Sequence, residues 1–191
     1  MIDLHAALEI VSRYRGDAVV IPAMTSGRHW PTITDKPDLD LALTGAMGKG
    51  SSMALGIALA RPERKVIVFD GDGSLVMNLG TLVSMANKAP KNLVYFVMAN
   101  GAYCITGGQP VPGHDFASFT GMARECGFKA AYEFDNLEEF ATTAPEIFSG
   151  NGPVFVCLKT VPEIETRPIG QRPAFARTPE AYPRVWKALR Q

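Results

Sequence analysis

Two continuous apolar runs, Val66-Ile67-Val68-Phe69 and Leu93-Val94-Tyr95-Phe96-Val97-Met98, each stop at a polar cluster rich in glycine. Runs of β-branched and aromatic residues with no polar alternation suit strands buried on both faces, which belong to parallel sheets covered by helices. Between them, Leu79 to Asn87 has room for one helix, so the unit reads strand, helix, strand with a crossover connection. The clusters Asp70-Gly71-Asp72-Gly73-Ser74 and Ala99-Asn100-Gly101-Ala102-Tyr103 therefore fall at carboxyl ends of buried strands, where open α/β sheets place their ligands.

The rest of the chain continues the alternation. Asp3 to Tyr14, with Leu4, Leu8 and Val11 on one face, reads as a helix that leads into a strand at Ala18 to Ile21. Pro22 to Pro37 reads as loop, with Arg28, His29 and Trp30 at its middle, and Leu39 to Leu43 as a short strand. A small-residue helix is expected over Met47 to Ala60. Beyond the long loop Asn100 to His114, Asp115 is placed to cap a helix to Cys126, followed by a strand at Lys129 to Phe134, a helix at Asn136 to Phe148 and a strand at Val154 to Leu158. The fold expected is α/β, a single doubly wound domain over 1–191 with a mainly parallel sheet flanked by helices. Residues 162–191 form a proline-rich tail with a last short helix, Val185 to Leu189.

The clusters carry oxygen donors. A hard cation such as Mg²⁺ takes about six oxygens, usually one or two from side chains and more from phosphate. Asp72 offers a carboxylate and Asn100 an amide oxygen. Gly71 and Gly73 let the backbone approach a diphosphate, and a helix starting near Ser74 turns its first amides toward the anion. Taken by itself, Gly-Asp-Gly after a strand is also an ordinary turn. A dinucleotide fingerprint fails at its third glycine, where Val76 stands, and the chain has no Walker lysine motif.

Charge narrows the field further. Lys plus Arg and Asp plus Glu are 19 each, so there is no electrostatic case for nucleic acid or an acidic membrane surface. Cys104, Cys126 and Cys157 have no Cys-x-x-Cys spacing, which argues against a disulfide framework, a zinc site or an iron–sulfur cluster. No apolar run is long enough to span a bilayer and no secretory signal is present, so a cytoplasmic location is expected.

A Gly-Asp-Gly, a spacer of nearly thirty residues, and an Asn near a Tyr resemble the thiamine diphosphate motif. With Gly45-Ala46-Met47-Gly48-Lys49-Gly50-Ser51-Ser52 added, residues 40 to 130 are similar to the diphosphate-binding domain of phosphonopyruvate and sulfopyruvate decarboxylases. The resemblance implies that Asp72, Asn100 and the carbonyl of Ala102 hold Mg²⁺, and that Gly71, Gly73, Ser74 and Tyr103 surround the cofactor. It further implies that the Gly45 carbonyl accepts from the cofactor's aminopyrimidine and that Met47 wedges beneath its bent form; a core methionine is the other reading of Met47. Ala99 replaces a second Asn that many members have, and Lys49 stands where the resembling decarboxylases usually have His.

In most of that family a Glu on a separate pyrimidine-binding domain activates the cofactor. Glu63, Glu125, Glu138 and Glu139 read instead as solvated surface carboxylates. The resemblance thus implies a β-type subunit, completed by a pyrimidine-binding α subunit that carries the activating Glu and acting on a small anionic 2-oxo acid. A homodimer is expected when that partner is absent. Lys49, Arg28, His29 and Thr106 are candidates for holding the substrate's anionic tail, against the alternative of ordinary surface polar residues. Gly107, Gly108 and Gln109 extend a strip over the cofactor, and Cys104 reads as a small apolar residue rather than a nucleophile. A 2-oxo acid oxidoreductase or carboligase subunit and a non-catalytic binding module remain the alternatives.

Overall fold

A computed structural model describes residues 1–168, 171–172 and 177–190. Its sheet has five parallel strands in the order β1-β2-β3-β7-β6: β1 (Val19–Pro22), β2 (Val66–Gly71), β3 (Leu93–Ala99), β6 (Ala130–Phe134) and β7 (Val154–Lys159). A separate two-stranded antiparallel ribbon pairs β4 (Ala102–Tyr103) with β5 (Gln109–Pro110). Alternate residues of each long strand serve opposite faces. Val66, Val68, Tyr95, Val97 and Phe155 join one core, while Ile67, Phe69, Phe96, Val156 and Leu158 join the other, so each run is apolar throughout because both of its faces are covered.

Helices α1 (Leu4–Tyr14) and α7 (Leu137–Ser149) cover one face. On the other face lie α3 (Gly50–Ala60), α5 (Gly80–Lys88), α6 (Phe119–Glu125) and α8 (Thr178–Ala188). Local chemistry sets several helix starts. Asp3 Oδ1 accepts from the Ala6 N–H at 2.8 Å, and Asn136 Oδ1 accepts from Glu138 and Glu139.

Several expected elements are corrected. The segment Pro22 to Pro37 is not plain loop: it contains α2 (Ser26–His29) and a 3₁₀ turn at Trp30–Thr32, because the fully buried Trp30 packs on Phe69 and draws the chain against the sheet. Leu39 to Leu43 makes only isolated bridges beside β1, at Asp40 and Leu43. Helix α6 is capped by Ser118, whose Oγ accepts from Gly121 at 2.9 Å, rather than by Asp115. Helix α8 begins at Thr178, seven residues before the expected start, with proline in its first turn where no amide partner is needed. In the tail, residues 169–170, 173–176 and 191 lie outside the described residues.

Candidate functional site

Register brings the two polar clusters together. In the β2–β3 pairing Asp70 lies opposite Val97 and Gly71 opposite Met98, so the chain leaves both strands side by side. The short helix α4 (Asp72–Val76) starts at once. Asp72 is 2% exposed, and its carboxylate joins the strand ends: Oδ1 accepts from the Gly73 N–H at 2.8 Å and Oδ2 from the Gly101 N–H at 2.7 Å. Burial raises the Asp72 pKa, against the lowering effect of those two amides. Asn100 Oδ1 accepts from the Ala102 N–H at 3.0 Å.

Opposite them, the turn from Gly45 to Gly48 precedes α3. Both glycines have positive φ, +70° and +73°, which delays the helix expected from Met47 until Gly50. The turn is held at both ends of Gly48. Its N–H donates to Ser74 Oγ at 2.7 Å, and its carbonyl accepts from Asn78 Nδ2 at 2.7 Å. Ser74 in turn hydrogen-bonds the buried Asp70, whose Oδ2 accepts from Tyr95 Oη at 3.3 Å. Burial raises the pKa of Asp70, against the lowering effect of its hydrogen bonds from Ser74, Gly71 and Tyr95, and pushes that of Tyr95 well above its usual range.

Between turn and strand ends lies a cleft of about 480 Å³. Gly45, Met47, Gly71, Asp72, Gly73, Ser74, Asn100, Ala102, Tyr103 and Thr106 all line it, joined by Met24, Thr25, Leu43 and Cys104. A Cβ at Gly73 would run into the Tyr103 ring, which would have to shift to admit it. Burial raises the Cys104 pKa, consistent with a small apolar wall residue rather than a thiolate. Met24 adopts φ +54°, an uncommon conformation for a side-chain-bearing residue, at the cleft wall.

Lys49, Arg28 and His29 are not among the lining residues. Lys49 is exposed ahead of α3. Arg28 Nη1 is 3.1 Å from Glu165 Oε2, and His29 Nε2 is 2.8 Å from Glu163 Oε2, so both face the tail. That tail forms a strap over the cleft's outer loop. The Glu165 N–H donates to the Cys104 carbonyl at 2.8 Å, Arg172 Nη1 to the Ile105 carbonyl at 3.1 Å, and Ile164 packs on Gly108. Bidentate bonding from Arg167, with Arg28 adding its charge, holds the Glu165 carboxyl down at about 2.

Sequence reasoning missed Asp70, Tyr95, Asn78 and the strap. Asn78 had a visible signal, a single amide inside the apolar stretch Leu75 to Leu82. The Glu165 contacts to Arg28 and to the Cys104 carbonyl had none, because those partners are more than fifty residues away in the chain.

The oxygen donors fit a hard cation that shares its shell with a phosphate. Among the described residues no group of three or more His, Cys, Asp or Glu is placed to hold a metal, whereas Asp72, Asn100 and the Ala102 carbonyl offer a partial set of hard oxygens. No helix among the described residues is long and apolar enough to cross a membrane.

Residues 23–158 match the family described as "Thiamine pyrophosphate enzyme, C-terminal TPP binding domain". A phosphonopyruvate decarboxylase from Streptomyces viridochromogenes is 35% identical over 159 residues, 82% of this chain and 39% of that protein. A sulfopyruvate decarboxylase subunit beta from Methanothermobacter thermautotrophicus is 33% identical over 163 residues, 85% of this chain and 84% of that subunit. The solved benzoylformate decarboxylase of Polynucleobacter necessarius shares the fold, with a TM-score of 0.71 at 18% identity over 84% of this chain and 33% of that one. The chain thus spans less than half the length of the phosphonopyruvate decarboxylases it matches and most of the length of the beta subunit. Given a family match over most of its length, with the cleft residues inside it, the chain belongs to the thiamine pyrophosphate enzymes as a C-terminal TPP-binding domain.

Proposed function

We propose that this chain is the diphosphate- and Mg²⁺-binding subunit of a two-subunit 2-oxo acid decarboxylase that uses thiamine diphosphate. The observation that carries the reading is the convergence of Asp72, Asn100 and Ala102, from adjacent strand ends, on one cleft opposite Gly45 and Met47. In this reading Asp72, Asn100 and the Ala102 carbonyl hold the cation, while Gly73 and Ser74 border the diphosphate. Met47 supports the cofactor from the facing turn, and the Gly45 carbonyl accepts from its aminopyrimidine.

When bound, the cofactor supplies an electron sink for loss of carbon dioxide from a 2-oxo acid. The contribution of this chain is to place and screen charge. The buried Asp72 carboxylate neutralises part of the cation's charge, and the strap holds the outer loop over the cleft. An α subunit carrying the activating Glu completes the site, and the substrate is a small 2-oxo acid with a second anionic group, as the relatives' names suggest. Thr106 on the rim is placed to meet that group, whereas Lys49, Arg28 and His29 do not line the cleft, and Arg28 and His29 are paired with Glu165 and Glu163.

Calorimetry tests the cofactor reading. The chain is expected to bind thiamine diphosphate only with Mg²⁺, and Asp72→Ala and Asn100→Ala should each weaken binding at least tenfold, on the order of 1.5–3 kcal/mol for a lost charged contact. Equal affinity in a chelator would defeat it. Turnover of a 2-oxo acid should appear only when the α subunit is added.

A further inference from the structure

Outside the cleft, two histidines from different helices meet edge to face. His5 on α1 and His29 at the end of α2 have ring planes 61° apart and Nδ1 atoms 3.4 Å apart. The other nitrogen of each ring has a carboxylate beside it. Glu163 Oε2, on the strap, lies 2.8 Å from His29 Nε2, and Glu9 Oε1, one turn further along α1, lies 3.7 Å from His5 Nε2.

That arrangement fixes which nitrogens are free. A carboxylate only accepts, so it favours the hydrogen on Nε2, and the Nδ1 of a neutral imidazole is then a bare acceptor. Two lone pairs are thereby aimed at each other and need something positive between them. A shared proton fits poorly, because ordinary N–H hydrogen bonds extend only to about 3.2 Å. A metal fits well. Two Zn–N bonds of about 2.0–2.1 Å meeting at a tetrahedral angle set their nitrogens about 3.3–3.4 Å apart.

The carboxylates agree with this reading, since a metal-ligating histidine typically gives its other N–H to a carboxylate that orients the ring and raises its basicity. The His5 side chain is 43% exposed and that of His29 is 23% exposed, so an ion and its waters can enter from solvent. Imidazole nitrogen suits Zn²⁺, Ni²⁺ and Cu²⁺, whereas Mg²⁺ takes oxygen, so the pair does not compete for the ion suited to Asp72 and Asn100. His114, the remaining histidine, is paired with Asp115 instead.

We propose that a divalent transition metal of the Zn²⁺ class is bound by Nδ1 of His5 and Nδ1 of His29, with water in its remaining positions, clasping α1 to α2 beside the strap.

Long-range nitrogen NMR of the three histidine rings in the untagged full chain tests this. Without metal, His5 and His29 should both show hydrogen on Nε2. In excess Mg²⁺, added Zn²⁺ should saturate at one ion per chain and move both Nδ1 resonances together, leaving those of His114 in place. By calorimetry, Zn²⁺ affinity should be at least tenfold weaker in His5→Ala and in His29→Ala, about tenfold weaker in Glu163→Gln and unaltered in His114→Ala. The far-ultraviolet circular dichroism of the alanine variants without metal should match the wild type. One proton shared between the two rings with no response to Zn²⁺ would overturn the proposal. So would a Zn²⁺ response centred on His114, or an affinity indifferent to both His5→Ala and His29→Ala. The wild-type spectra decide the matter even if a variant fails to fold. Thiamine diphosphate enters none of these measurements, so failure here is distinct from failure of the decarboxylase reading.

Discussion

At Asp72 burial and hydrogen bonding pull in opposite directions, and burial prevails, so the folded chain holds the Asp72 proton more tightly than the unfolded chain, in which Asp titrates near about 3.9. By linkage, the stability this group contributes is greatest below the unfolded value and declines as pH rises through the raised folded value. A cation on the carboxylate offsets the decline. The melting-temperature gain from Mg²⁺ with thiamine diphosphate is therefore expected at neutral pH and should shrink as pH falls through the raised Asp72 value, as read by scanning fluorimetry across that range. Asp72→Asn should abolish the gain. It should also lower stability without ligand by about 1–3 kcal/mol, because one amide oxygen cannot serve both the Gly73 and Gly101 N–H groups as two carboxylate oxygens do. Gly73→Ala forces its new methyl into the Tyr103 ring and should cost about 1–3 kcal/mol. Denaturant melts of Gly73→Ala in a Tyr103→Ala background should show most of that cost removed, the signature of a direct contact.

Among the elements, the strap that carries Glu163, Glu165, Arg167 and Arg172 is the one whose chemistry can be tuned from outside. Glu165 is depressed to about 2 by Arg167 and Arg28, so its stabilising contribution is fully present above its unfolded value near about 4.3 and is lost only as pH falls through about 2. The strap should hold the 103–108 loop unchanged across the neutral range. Glu165→Gln should speed amide exchange at Cys104 to Gly108 at every neutral pH, with little change in the sheet, by hydrogen-exchange mass spectrometry. The strands β2, β3 and β7 were legible in the sequence because a strand buried on both faces writes its burial into every residue, as Val66 to Phe69 does. Asp72 and Asn100 were legible because glycine-rich polar clusters break such runs. What could not be read depended on distant partners: Trp30 drawing α2 onto the sheet, Arg28 and His29 turned toward Glu165 and Glu163, and the positive φ values of Gly45 and Gly48 that move the start of α3.

For the molecule as a whole, a ligand that binds only the folded state adds stability set by its excess over its dissociation constant. At a hundredfold excess that is about 2.7 kcal/mol, which for a chain of 191 residues corresponds to a melting-temperature rise of about 5–11 °C. Thermal melts with thiamine diphosphate and Mg²⁺ together should show this rise, and either ligand given singly should not. The dual service of Asp72 has a further effect on how such a chain can drift over generations. Because its two oxygens also tie Gly73 to Gly101, selection for a folded product preserves this aspartate after any selection for turnover has lapsed. Asn100, whose side-chain oxygen secures only the Ala102 amide, is under weaker restraint. In a duplicated copy that had become a pseudoenzyme, erosion would start at Asn100, and a retained Asp72 would be no testimony of activity.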